Sequence, residues 1–389
     1  MARILIGWEL GANRGHAVHL AGLSRLLRGH GHEVVLAVRR LDVMHAQQVS
    51  DIAIWQAPVS PRMLAGNVMR HGGAPAGLAD ILARIGIDDA LIVTSMIAAW
   101  RQLLAATRAD LVIADYAPFL LPAARGRLPA IAVGNGFSLP PATMRAFPTL
   151  VQGVSGLDQE ALLAIVNRGL AELGDDPLAA LPGIFAADRS VTATFAELDP
   201  YAAERGEPIA IPESVDGSIR AGEGEEVFVY LPELIPANSP LWSGLAMSGL
   251  KIRVHVAMGD AAIQAAVTSF GFIVEPHPVP FAEIAARSRL LLSHGGHGFV
   301  CAGLTAGLPQ VVCHYDLEKL ATGLGLARAG LGGHVPLATI QPRAFADSLV
   351  RVYQDDAIAA RARAAAPGFL ERGQIHHDEA VVAAVAALG

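Results

Sequence analysis

The first 38 residues carry the pattern that most narrows the fold. A short apolar run, Arg3–Gly7, leads through a glycine-rich loop, Trp8–Gly15. A helical stretch follows from about His16 to Arg28, with Leu20, Leu23, Leu26 and Leu27 on one face. Gly29–Gly31 ends it, and Glu33–Val38 is a second apolar run. Strand, helix and strand in that order predict a parallel crossover.

The pattern recurs. Residues 45–77 read as irregular, rich in Pro, Gly and Met, and Leu78–Thr107 as one long helical stretch. Strands are expected at Asp110–Ala114, Ala130–Gly134 and Ser190–Thr194, with a helix near Gln159–Leu173. From Glu197 to Glu226 the prolines 200, 208 and 212 and the run Asp216–Glu226 suggest an interdomain linker. A second series then predicts strands at Val227–Leu231, Ile252–Val256, Phe272–Val274, Leu290–Ser293 and Gln310–Cys313. A last helix, Asp378–Leu388, is expected after a break at Pro367 and Gly368. Two such series predict an α/β protein of two Rossmann-like, doubly wound domains with a cleft between them.

Composition excludes several classes. With 52% hydrophobic and 17% charged residues, the 389-residue chain is too apolar for disorder. A net charge of −7 and 5% aromatic content argue against a nucleic-acid partner. Apolar runs such as Val381–Leu388 fall short of the roughly 20 residues that cross a bilayer, so no transmembrane segment is expected. Ile4–Gly7 is too short for a signal-peptide core. The two cysteines, Cys301 and Cys313, lack C-x-x-C spacing, which excludes a disulfide scaffold and a cysteine zinc site and suits a reducing cytoplasm.

Ser293–Cys313, SHGGHGFVCAGLTAGLPQVVC, is the richest segment chemically. A strand ends at His294, three glycines (295, 296 and 298) free the backbone, and a helix starts near Phe299. Unpaired N–H groups at a helix start attract an anion, and glycines let a diphosphate approach closely. An ordinary strand-to-helix turn is the plainer alternative. Near the N-terminus, His16 opens a helix, where the macrodipole disfavours imidazolium and leaves a neutral base. A surface or capping histidine is the plainer reading there. Asp115 ends a strand and fits a helix cap equally well.

Taken together, these segments resemble the GT-B glycosyltransferases of families 1 and 28. His294, Gly295, Gly296, Gly298, Gly307 and Pro309 match their donor signature, H-G-G-x-G-T followed by a helix and G-x-P. GANRGH (Gly11–His16), RGHGHEVVLAV (Arg28–Val38), Asp115 in DLVIADYAP and GNGFSLPP (Gly134–Pro141) resemble the family's first loop, second strand, strand-end aspartate and acceptor loop. The resemblance implies an N-terminal acceptor domain (1–217), a C-terminal nucleotide-sugar domain (218–370) and a terminal helix (371–389) returning to the first. It implies His16 as base with Asp115 behind it. His294, Gly295, Gly296, His297, Gly298 and Phe299 would hold the donor diphosphate, and Glu318 and Lys319 the donor sugar. Asn135 would lie on the acceptor side; Glu9, beside Trp8, could face it too or simply solvate its loop, and Trp55, Met63, Met69, Met96 and Trp100 could line an apolar acceptor pocket or belong to the core.

Inverting transfer from a UDP- or dTDP-sugar to a small, apolar natural product or lipid would follow, with the nucleotide sugar as substrate and no cofactor. There is no D-x-D pair, and the His294-x-x-His297 spacing falls in a glycine turn, so no metal is expected. The first loop is not G-x-G-x-x-G, and Arg39 and Arg40 stand where NAD binding calls for an acidic residue. No G-x-S-x-G elbow occurs. The chain departs from the family at Phe299 (usually Thr or Ser), at Ala302 (often a ribose-binding Glu) and at Glu318–Lys319 (usually Asp-Gln). Those departures keep two alternatives open: a non-catalytic auxiliary protein on this fold, and a nucleotide-sugar epimerase or hydrolase.

Overall fold

A computed structural model describes residues 1–11, 14–49, 51–64, 73–232, 235–257, 259, 261–372 and 375–389. The chain forms two compact units. Unit 1 comprises Met1–Ala193, Tyr201–Ala210 and Ile375–Gly389; unit 2 comprises Thr194–Pro200 and Ile211–Gln374.

Unit 1 is built on seven parallel strands: β1 (Arg3–Trp8), β2 (Glu33–Val38), β3 (Ala53–Gln56), β4 (Leu111–Asp115), β5 (Ala130–Gly134), β6 (Arg189–Ala193) and β7 (Ile209–Ala210). Their order is β3-β2-β1-β4-β5-β6-β7. Unit 2 has six: β8 (Glu226–Pro232), β9 (Ile252–Ala257), β10 (Ile273–Val274), β11 (Ser288–Ser293), β12 (Gln310–His314) and β13 (Gly332–Pro336), in the order β10-β9-β8-β11-β12-β13. Both orders reverse direction once, between β1 and β4 and between β8 and β11. Such a point is where ligands bind, outside the strands' carboxyl ends.

Central strands are apolar because both faces are covered: Ile4, Ile6, Leu36, Ile113, Ile131 and Val133 are buried in unit 1, and Val227, Val229, Val254, Leu290 and Leu292 in unit 2. The helix Ala90–Thr107 is long and apolar enough to cross a membrane by length and composition alone. In unit 1 it packs on the helices Gln159–Ala171 and Leu120–Ala124, burying Val93, Met96, Ile97, Trp100 and Leu104. The terminal helix His377–Leu388 packs on β5, β6 and the helix Arg14–Gly29, and puts Val381 and Val385 into the unit 1 core. Cys301 and Cys313 are buried and free.

Several local expectations need correction. Residues 45–77 include β3, a partly exposed strand whose alternation is weak. The stretch 78–107 is not one helix, because Gly86 (φ +119°) breaks it before Ala90. Gly332–Pro336 is a strand despite its two glycines. The helix Asp356–Arg372 runs through Pro367 and Gly368. Residues 197–226 are not a single linker: the chain changes units after Ala193, Pro200 and Ala210, and residue 217 lies inside unit 2.

Candidate active site

At the reversal point of unit 1, β1 and β4 run side by side with Trp8 in register with Asp115. The chain leaves β1 through Glu9 and Leu10 and enters the helix Arg14–Gly29, whose first turn carries His16. The His16 Nδ1 lies 2.7 Å from the Asp115 Oδ2, across 99 residues of sequence. Asp115 is 2% exposed. A carboxylate at Nδ1 draws the imidazole proton there and leaves Nε2 as the basic nitrogen. Gly11 has φ +80°, and a methyl group on it would sit 2.4 Å from Nε2, so glycine is required twice over.

Glu9 turns inward. It is buried, and its carboxyl oxygens accept from the N–H groups of Phe119 (3.1 Å) and Leu120 (2.7 Å). Burial pushes its carboxyl up to about 8, against the pull of those two N–H groups. The Trp100 indole N–H faces the same carboxylate without a well-directed hydrogen bond. Trp100 is itself fully buried, against Gly7, and Met96 is buried too. These are core positions rather than acceptor lining. Asn135 shapes its own loop: its Oδ1 accepts from the N–H groups of Phe137 and Ser138, both at 2.9 Å. Trp55 is exposed, and Met69 lies outside the described residues. Sequence reasoning passed over Arg205, which ties that loop down through the carbonyls of Gly136 and Leu139.

Unit 2 presents a different histidine at its own reversal point. Ser293 ends β11 in register with Tyr230 of β8, and His294 follows. Gly295 turns the chain at φ +88°, where a side chain would strike Val312 at 2.7 Å, and its N–H donates to Ser293 Oγ. The helix His297–Ala306 then starts with Gly296 as its cap, and that cap supplies no side chain to the N–H groups of the first turn. His294 is 6% exposed, and its Nδ1 has no hydrogen-bond partner among the described residues. Burial, and then the Lys319 ammonium, pull its pKa down to about 4. It is therefore an uncharged imidazole at neutral pH.

The rest of the expected donor set clusters on the same side of unit 2. Gly298 accepts a hydrogen bond from Ser214, and a methyl group at 298 would meet that hydroxyl at 2.9 Å. His297 reaches along its helix to Cys301 Sγ at 3.4 Å. Phe299, where the family has a hydroxyl, stacks among Tyr230, Phe281 and Phe228. Asp316 caps the helix Leu317–Arg328 through the Lys319 N–H. Lys319 is 3% exposed, so it is no surface lysine, and its ammonium pairs with Glu318 at 2.8 Å. Burial pulls the lysine pKa down, but Glu318 and Asp316 outweigh it and hold the group cationic.

No protein-family model matches the chain, and no curated protein matches it. Solved structures match over nearly its whole length. The glycosyltransferase SsfS6 of Streptomyces sp. SF2575 superposes with a TM-score of 0.63 at 18% identity, covering 98% of this chain and 99% of its own. CalG4, the calicheamicin glycosyltransferase, gives 0.65 at 18%, covering 99% and 98%. The spinosyn rhamnosyltransferase SpnG gives 0.67 at 15%, covering 99% of each. At such identities the likeness is one of fold: this chain has the GT-B fold of those enzymes.

Proposed function

We propose that the protein is an inverting glycosyltransferase that moves a sugar from a nucleoside diphosphate to a hydroxyl of a small, largely apolar acceptor. The observation that carries this reading is the His16–Asp115 pair at the reversal point of unit 1. His16 Nε2 takes the proton of the acceptor hydroxyl. The oxygen attacks the anomeric carbon from the face opposite the diphosphate, the new C–O bond forms and the carbon–oxygen bond to phosphate breaks. Asp115 stabilises the imidazolium so formed. The diphosphate leaves with its charge, met by the N–H groups that open the helix His297–Ala306 and by neutral His294. Lys319 and Glu318 stand by the donor sugar. No divalent cation is called for in this scheme, and EDTA should leave the rate unchanged.

The donor base is proposed as thymine. SsfS6 is known complexed with thymidine diphosphate and VinC with dTDP, and SpnG is known complexed with spinosyn aglycone. The proposed setting is the cytoplasm, in keeping with two buried free thiols. Calorimetric titration with dTDP, UDP and GDP, with NAD as control, tests the donor half. One diphosphate should bind, and His294→Ala should weaken it about tenfold or more, the worth of one hydrogen bond to a charged group. A folded protein that binds none of them is instead an auxiliary protein. Turnover of the nucleotide sugar without acceptor would point to an epimerase or hydrolase.

A further inference from the structure

The imidazole of His16 touches more than Asp115. The Trp8 ring lies 5.3 Å from it, centroid to centroid, at an interplanar angle of 19°. The Tyr116 ring lies 6.4 Å away at 22°. Both are nearly parallel to the imidazole, and both come from the strand ends that hold it, since Trp8 ends β1 beside Asp115 and Tyr116 follows Asp115. Packing alone does not account for the tyrosine. Its backbone has φ +45°, a region that bulky L-residues avoid. Three hydrogen bonds keep it there: the Leu10 N–H donates to the Tyr116 carbonyl at 3.1 Å, and Glu9 holds Phe119 and Leu120 just beyond. The Trp8 indole is likewise fixed, donating to the Leu10 carbonyl. Two rings are thus locked in place around one histidine, one of them against its backbone preference.

We propose that Trp8 and Tyr116 are positioning residues for the proton transfer, whose π faces stabilise the His16 imidazolium and keep its Nδ1 on Asp115. An aromatic face attracts a cation, and most strongly where water is kept away. The rings therefore raise the basicity of His16 at the moment it takes the acceptor's proton. The helix start on which His16 sits works the other way. Asp115 is hydrogen-bonded to the ring, Arg39 donates at 3.3 Å to the carbonyl of Gly11, which lies against Nε2, and Glu9 is engaged by the Phe119 and Leu120 N–H groups. His19 lies one turn on, its ring against His377. This inference rests on the reading of His16 as the base.

The test reads His16 itself. Protein carrying ¹³C-labelled histidine is titrated by NMR, the His16 signal being the one missing from His16→Gln. Tyr116→Leu keeps water out but removes the π face. At 6.4 Å the Tyr116 ring lies at the outer edge of cation–π range, so the His16 protonation constant should fall by up to about twofold. Tyr116→Phe should restore it. Because Leu at 116 can disturb the turn, a second arm replaces the four tryptophans with fluorinated ones of nearly the same shape. The titration midpoint should fall stepwise as fluorines are added. A midpoint that stays put or rises in the fluorinated protein, or in a folded Tyr116→Leu, overturns the proposal. Transfer activity surviving in His16→Ala would overturn the base reading instead, and would leave the titration result standing.

Discussion

Each unit places a histidine at the point where its sheet reverses, and the two are set up for opposite work. His16 has a carboxylate at 2.7 Å, so a proton arriving on the ring is stabilised. Among the described residues no carboxylate is hydrogen-bonded to the His294 ring; burial and the nearby Lys319 ammonium outweigh the smaller effect of Glu318 and hold it neutral down to about pH 4. The fold supplies the same location twice. The neighbour of the imidazole decides whether it can carry a proton or only offer a hydrogen bond. One arrangement suits a base that charges during reaction, and the other suits a neutral donor to a leaving anion.

The sharpest way to break this contrast is to remove each ring in turn. His16→Ala should lower the transfer rate by about 10²–10⁴, the usual worth of a general base, with diphosphate affinity in calorimetry unchanged. If affinity falls with rate, the division of labour is wrong.

Acid should then distinguish the two. The folded pKa of His294 lies below its unfolded value of 6.5, so the unfolded chain takes up its proton first. Its contribution to stability is intact above pH 6.5 and is lost as the pH falls toward about 4. The loss is about 3 kcal/mol by linkage, read as a shift in denaturant midpoint. His294→Asn should flatten that slope.

A smaller effect is expected at Gly11. Gly11→Ala forces a side chain into φ +80° and against Nε2. It should cost about 1–2 kcal/mol of stability and a similar amount in the barrier to transfer. The Gly295→Ala counterpart in unit 2 should weaken diphosphate binding instead.

Least affected in rate should be Glu9→Gln, which keeps an oxygen for Phe119 and Leu120. The folded Glu9 carboxyl is raised to about 8, so the wild type loses stability as pH climbs from 4.5 toward 8. The amide variant should escape that loss, so its stability relative to wild type should grow over the same range.

Much of this was legible in the sequence because central strands of parallel sheets are continuous apolar runs. β1, β2, β4, β5, β8, β11 and β12 follow that rule, while β9 alternates Ile252, Val254 and Val256 with Arg253 and His255. The misses lie where a different force decides. β3 and β13 are weakly patterned, and pairing with a neighbouring strand makes them strands. Pro367 stays in a helix because tertiary packing of Phe369 and Ala366 holds it there. The turn at residues 293–299 could be read locally, since its strand, glycines and helix are contiguous. The His16–Asp115 pair joins residues 99 apart and was reached only through resemblance. Nothing in the one-dimensional pattern says that Glu9 turns inward or that Tyr116 lies on His16. Those follow from the register of β1 against β4.

The order in which the units come off the ribosome follows from how the chain is shared between them. Unit 1 begins with Met1, yet its core includes Val381 and Val385. All of unit 2 is synthesised before that last helix exists. Unit 2 can therefore finish folding while unit 1 waits, with an apolar face of its sheet uncovered. For a growing chain, unit 1 stays incomplete until unit 2 has been made, and chimaeras are better cut as an exchange of residues 194–200 together with 211–374 than at a single midpoint.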